Sequence, residues 1–136
     1  TGGATFSNIN DPNATVSNLD VGTNTLTWTI RDIGLVCPGN SDDIVVSYSD
    51  IQLTVTPDVL LDCFGDSDGS GTFTATGGVA PFNFTVIANT ALATPVVGAN
   101  SVTFNDAQIG VVTIEVEDAT GCTAQATITI TQPPAI

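Results

Sequence analysis

The sequence predicts an all-β chain, and three observations carry that prediction. From Cys122 to Thr131 every even position is apolar or cysteine and every odd position is threonine or glutamine, the period of a strand with one buried and one wet face. The same alternation recurs along the chain with other residues, broken by turn signals rich in glycine and asparagine. No long stretch shows helical spacing of its apolar residues.

Taken in order, the elements fall into two modules joined near Ser49-Asp50. In the first, residues 1–50, Ala14 to Leu19 reads as a short strand and Asp20 to Thr23 as a turn. Leu26, Trp28 and Ile30 then share one face and Thr25, Thr27, Thr29 and Arg31 the other. Ile44, Val46 and Tyr48 repeat the pattern, after an irregular connection from Asp32 to Asp43 that carries glycine, proline and asparagine. This parity puts Trp28 and Tyr48 in series with aliphatic residues and predicts that both pack in a core; a sugar-binding aromatic platform is the competing reading.

The second module, residues 51–134, opens with Ile51 to Thr56. Its inward faces come from Phe73 and Ala75, Phe82 to Val86, Val102 and Phe104, Val112 to Val116, and Ala124 to Ile130. Turn signals stand at Gly65 to Gly71, Gly77-Gly78, Asn105-Asp106 and Ala119 to Gly121. Six or seven short strands at roughly 8 to 12 residue spacing are the pattern of an immunoglobulin-like sandwich. Residues 133–136 read as a linker to a next module.

Composition narrows the function. Fourteen acidic residues face one basic residue, Arg31, and there is no histidine, giving a formal charge of −13. Nucleic acid and anionic membranes are poor partners for such a chain, because both need clustered Lys and Arg. General acid–base chemistry at neutral pH is also poorly served without His or Lys, so a non-enzymatic role is expected. No apolar run reaches the roughly 18 to 20 residues of a membrane-spanning helix, and direct membrane insertion is not expected.

The string from Cys63 through Gly78, with Ala80-Pro-Phe-Asn-Phe84, Asp118-Ala-Thr-Gly-Cys-Thr123 and Ile130-Thr-Gln-Pro-Pro134, resembles a SprB-type repeat. Such repeats belong to very large cell-surface adhesins of Bacteroidetes, including gliding-motility proteins exported by type IX secretion. Upstream, Gly2 to Leu19, Gly22 to Ile30 and Cys37-Pro resemble the second half of a PKD-like or Ig-like repeat. About four strands stand there where such a sandwich needs about seven, so the first module is expected to be incomplete, with strands missing upstream of Thr1.

For the three cysteines, at 37, 63 and 122, the resemblance implies a disulfide between Cys63 and Cys122 and leaves Cys37 unpaired in this segment. A bridge of that span would add up to roughly 4 kcal/mol. Three buried free thiols are the alternative.

The acidic segment from Asp62 to Gly71 offers a second candidate site. Asp62, Asp66 and Asp68 resemble the beginning of a calcium loop, since alternate oxygen ligands can converge on one hard cation. No glutamate closes the loop, and a solvated glycine-rich turn is the preferred reading. Asp42-Asp43 is expected at an exposed strand entrance, and Glu115 and Glu117 outward, with Asp118 in a turn.

These readings converge on a non-catalytic, extracellular segment of a bacterial surface adhesin or filament. Its partners would be neighbouring repeats of the same polypeptide or other copies, with surface polysaccharide as a further candidate. A structural polymer completed by strand exchange, and an accessory carbohydrate-binding module of a secreted enzyme, are the alternatives. Calcium is the one ion the sequence suggests.

Overall fold

The computed structural model describes residues 3–31 and 38–135. All its regular elements are strands, in two compact units, Thr1–Ser49 and Asp50–Ile136.

The first unit holds two antiparallel pairs. Strand β1 (Thr5–Phe6) pairs with β2 (Val16–Ser17), and β3 (Gly22–Ile30) pairs with β4 (Asn40–Tyr48) over nine residues each. The predicted strand over Ala14 to Leu19 thus shortens to two residues. Asn24 sets the start of β3: its side chain accepts from the Asp20 amide and donates to the Asp20 and Gly22 carbonyls, closing the turn before the ribbon.

In the second unit, β5 (Gln52–Val59), β6 (Gly69–Thr76), β9 (Ser101–Ala107) and β8 (Thr94–Val97) form one sheet in the order β5-β6-β9-β8. The other sheet is β11-β10-β7, from β7 (Asn83–Asn89), β10 (Gly110–Glu117) and β11 (Thr123–Ile130). Four strands in the order first, second, fifth, fourth, opposed by seventh, sixth, third, give the topology of a constant-type immunoglobulin sandwich.

Period-two alternation supplies the core. In β6 the pattern buries Gly71, Phe73 and Ala75, and in β10 it buries Val112, Ile114 and Val116. The Phe73 and Phe104 rings pack with centroids 5.8 Å apart and planes tilted by 49°, an arrangement aromatic pairs favour. Gly71 makes this pair fit. A Cβ there would stand 2.6 Å from the Phe104 ring and 2.9 Å from the Thr56 carbonyl. The glycines at 69 and 71 therefore belong to a strand rather than to the predicted turn, which is confined to the residues before Gly69.

Two other departures have simple causes. Strand β8 carries Pro95 and lies at a sheet edge, where proline costs no ladder bond on its open side; its Val96 and Val97 are exposed, so no alternation marks it. The expected turn at Asn105-Asp106 lies within β9.

The first unit differs in kind. Every buried hydrophobic side chain among the described residues lies at Leu53 or beyond, and none in residues 3–49. Trp28 and Tyr48, predicted to be core residues, are 38% and 45% exposed. The reason is geometric: among the described residues only the short β1–β2 pair faces the two-stranded ribbon, too little to cover its apolar face.

Residues 50–136 alone should unfold in one cooperative transition, since their core is self-contained, whereas residues 1–49 alone should show none; thermal melts by circular dichroism check both. Within the sandwich, Phe104→Ala should cost about 3 to 5 kcal/mol in chemical denaturation.

Candidate functional site

Cross-strand register makes the β3–β4 ribbon two-faced. Directly paired residues share a side, so Leu26 with Ile44, Asn24 with Val46, Gly22 with Tyr48 and Trp28 with Asp42 form one face. The other carries Thr23, Thr25, Thr27 and Thr29 with Ser47, Val45, Asp43 and Ser41. On the first face Leu26 and Val46 are half-buried, while Trp28, Ile30, Ile44 and Tyr48 are exposed.

The small β1–β2 pair stands against this face. Phe6 pairs with Val16, and the connection between them is held by Ser7: its amide donates to the Thr15 carbonyl at 3.0 Å and its hydroxyl accepts from the Thr15 amide at 3.0 Å. Asp11 accepts from the Asn13 amide at 2.9 Å and shapes the tip. Between pair and ribbon runs a cleft of about 420 Å³, lined by Phe6, Pro12, Val16, Leu26, Trp28 and Ile44, with Asp42 and Asp43 on its wall. A second hollow of about 450 Å³ lies beside Tyr48, against Val16, Asn18 and Leu19. Neither lining contains a basic side chain. Trp28 and Asp42 are thus cross-strand neighbours in one cleft, which the sequence alone could not pair because β3 ends at Ile30 and β4 begins only at Asn40. Phe6 escaped notice because a two-residue strand has too little length to show a period.

The second unit brings together a different set. Asp118, only 4% exposed, accepts through Oδ1 from the Thr120 amide (2.9 Å), the Thr120 hydroxyl (2.6 Å) and the Cys122 amide (3.1 Å). Its Oδ2 accepts from the Val79 amide at 3.0 Å. One residue earlier the Gly78 amide donates to Asp50 Oδ1 at 2.8 Å. Gly77 and Gly78 both have φ near +66°, so they turn successive amides toward the two carboxylates at a site where a Cβ would be strained. The Asp-Ala-Thr-Gly-Cys segment and the glycine pair are therefore two halves of one clamp, fixing the β10–β11 turn to the loop after β6 beside the start of β5. Sequence reasoning found both segments and assigned Asp118 only to a turn.

This clamp lies at the pole where the chain enters the sandwich, and the acidic loop lies at the other. The Gly65 amide donates to Gln132 Oε1 at 3.0 Å, just past the end of β11. Cys122 stands just before β11, whose eight residues span about 26 Å at the rise of an extended strand. The Cys63–Cys122 bridge implied by the family resemblance is accordingly not formed. Both thiols are free, Cys63 exposed and Cys122 half-buried, and a disulfide needs Cα atoms within about 7 Å. Cys37 lies outside the described residues.

Asp62, Asp66 and Asp68, the residues of the calcium reading, are not gathered around one point. Asp66 turns inward on its own loop: its Oδ2 accepts from the Cys63 amide at 3.1 Å. Asp62 and Asp68 are exposed, and among the described residues no three His, Cys, Asp or Glu side chains are grouped to hold a metal. A calcium ion needs six to eight oxygens, and a carboxylate bonded to its own loop is a turn stabiliser.

No protein-family model, curated protein or solved structure matches the chain.

Asp118→Ala should destabilise the sandwich by roughly 3 kcal/mol, because it strands several amide and hydroxyl donors in a buried place; denaturant titration checks this. A thiol reagent should modify Cys63 ahead of Cys122 under native conditions, and the melting temperature should not depend on reductant. Mass spectrometry of the labelled peptides reads the order.

Proposed function

We propose that the chain is a non-catalytic segment of an extracellular bacterial surface adhesin or filament, and that it acts as a stalk. The observation that carries this reading is the placement of the two ends of the sandwich. The chain enters at Asp50, next to Gly78 and the Asp118 clamp, and leaves at Gln132, next to Gly65. Strands β5 and β11 both run from the first pole to the second, so a pull on the chain is directed along the strands. The ladders of the two sheets then resist in shear, many hydrogen bonds at once.

Tandem organisation supports the same role. Only Ser49, Asp50 and Ile51 separate β4 from β5 in sequence, so two β units follow each other along the chain. Most outward positions of β5 and β6 are threonine, which suits a sheet face to solvent, and the formal charge of −13 keeps neighbouring fibres apart. The family resemblance of residues 52–134 supplies the biological setting: a giant adhesin of a gliding or surface-attached bacterium.

Two measurements test the reading. Antibodies against the purified chain should label intact, non-permeabilised cells of the source organism; label confined to permeabilised cells defeats it. When the intact chain is stretched from its ends, the sandwich should give way in a single step whose length gain corresponds to residues 50–136. Gradual yielding at low force would rule out a load-bearing stalk.

A further inference from the structure

The cleft of the first unit combines three properties that together select one kind of occupant. Its walls are apolar on both sides, Leu26, Trp28 and Ile44 from the ribbon and Phe6 and Val16 from the β1–β2 pair, and the aromatic and aliphatic groups of the ribbon stand exposed around it. Because the β3–β4 sheet has two strands, each has one lateral edge unpaired among the described residues. Such an edge presents free amides and carbonyls to any extended chain laid beside it. The third property is charge: Asp42 lies directly across from Trp28 on the face the cleft uses, Asp43 follows it in β4 on the opposite face but still borders the cleft, and no Lys or Arg lines it.

That charge argues against a second copy as the occupant. Another copy brings a formal charge of −13 and a single cation, Arg31, so its approach to an acidic edge is repulsive. An extended segment bearing Lys or Arg meets the opposite situation. Its apolar side chains, on every second position, enter the cleft, while a cationic side chain rests on the Trp28 ring beside the Asp42 carboxylate.

We propose that the cleft is a docking site for an extended, basic peptide segment that adds as a strand to the β3–β4 ribbon. The site stands on the cleft, its charge and an edge left unpaired among the described residues.

Trp28 is the only tryptophan, so its emission reads the site directly in the intact chain. The probes are a synthetic peptide alternating Val and Lys, the same peptide with Glu for Lys, and the Lys peptide with alternate backbone amides N-methylated. The Lys peptide should give a saturable blue shift, and its affinity should fall steeply as the screening length contracts from about 10 Å at 0.1 M salt to about 3 Å at 1 M. Asp42→Asn with Asp43→Asn should weaken it about tenfold or more, and N-methylation should abolish it. Both aspartates are exposed, so the variant should keep the wild-type melt. The reciprocal variant, Asp42→Lys with Asp43→Lys, should instead take the Glu peptide. The proposal is overturned if the Glu peptide binds the native chain as tightly as the Lys peptide, if N-methylation leaves binding unchanged, or if the neutral variant binds equally well. It also fails if sedimentation shows the chain self-associating without peptide in a manner that Trp28→Ala or Ile44→Ser prevents, which would make a second copy the occupant.

Discussion

One constraint organises both halves of this molecule: a strand that alternates apolar and polar residues leaves an apolar face that another layer must cover. In residues 50–136 the constraint is met within the chain. Four strands face three, and Phe73, Phe104, Ile114 and Ile130 meet between them with almost no exposure. In residues 3–49 the same alternation produces the same kind of face, with Leu26, Trp28, Ile44 and Tyr48 on one side, and only a two-residue strand pair stands against it. Stability in the one half and an open apolar face among the described residues of the other therefore come from a single sequence habit, differing in how fully a second layer covers it.

Much of the architecture was legible because that habit is local. Strands β3, β4, β6, β10 and β11 can be read from their alternation, and the turn at Ala119 to Gly121 from its composition. What escaped was set by distant contacts. Gly69 and Gly71 look like a turn in sequence, yet they lie in a strand because the Phe104 ring occupies the space where side chains would be. Pro95 disguises β8, and the burial of Trp28 depends on a covering sheet that parity cannot report. Parity says which side of a strand a residue faces and is silent on whether anything lies opposite.

The cysteines and carboxylates mark the same limit. Cys63 and Cys122 flank the strands of one sandwich and suit a pairing by family likeness, but alternation carries no information about which pole of the fold a loop occupies. Direction along the strands does: the loop after β5 closes on Gln132, while Cys122 sits with Asp118 at the opposite pole. Acidic spacing has a related limit. Asp66 bonds to the Cys63 amide within its own loop, leaving its neighbours to solvent, whereas Asp118, beside a turn legible in the sequence, gathers amides from two separate segments. Long-range partners, rather than local density of charge, distinguish a carboxylate that holds the fold from one that decorates it.

If the chain is a stalk, as proposed, the direction of its strands sets how the sandwich would answer tension. With both terminal strands running from the Asp50 pole to the Gln132 pole, tension applied through the chain lies parallel to the ladders, so neighbouring strands must slide and break their bonds together rather than peel one at a time. The Asp50 and Asp118 carboxylates lie at the pole where that load arrives, tying Gly78 and Val79 to the first residues of the unit and to the β10–β11 turn. Tension entering at β5 is thereby shared at once with the opposite sheet. A bridge from Cys63 to Cys122 would have had to join the two poles of this body. The clamp at one pole and the Gly65–Gln132 bond at the other secure each end separately.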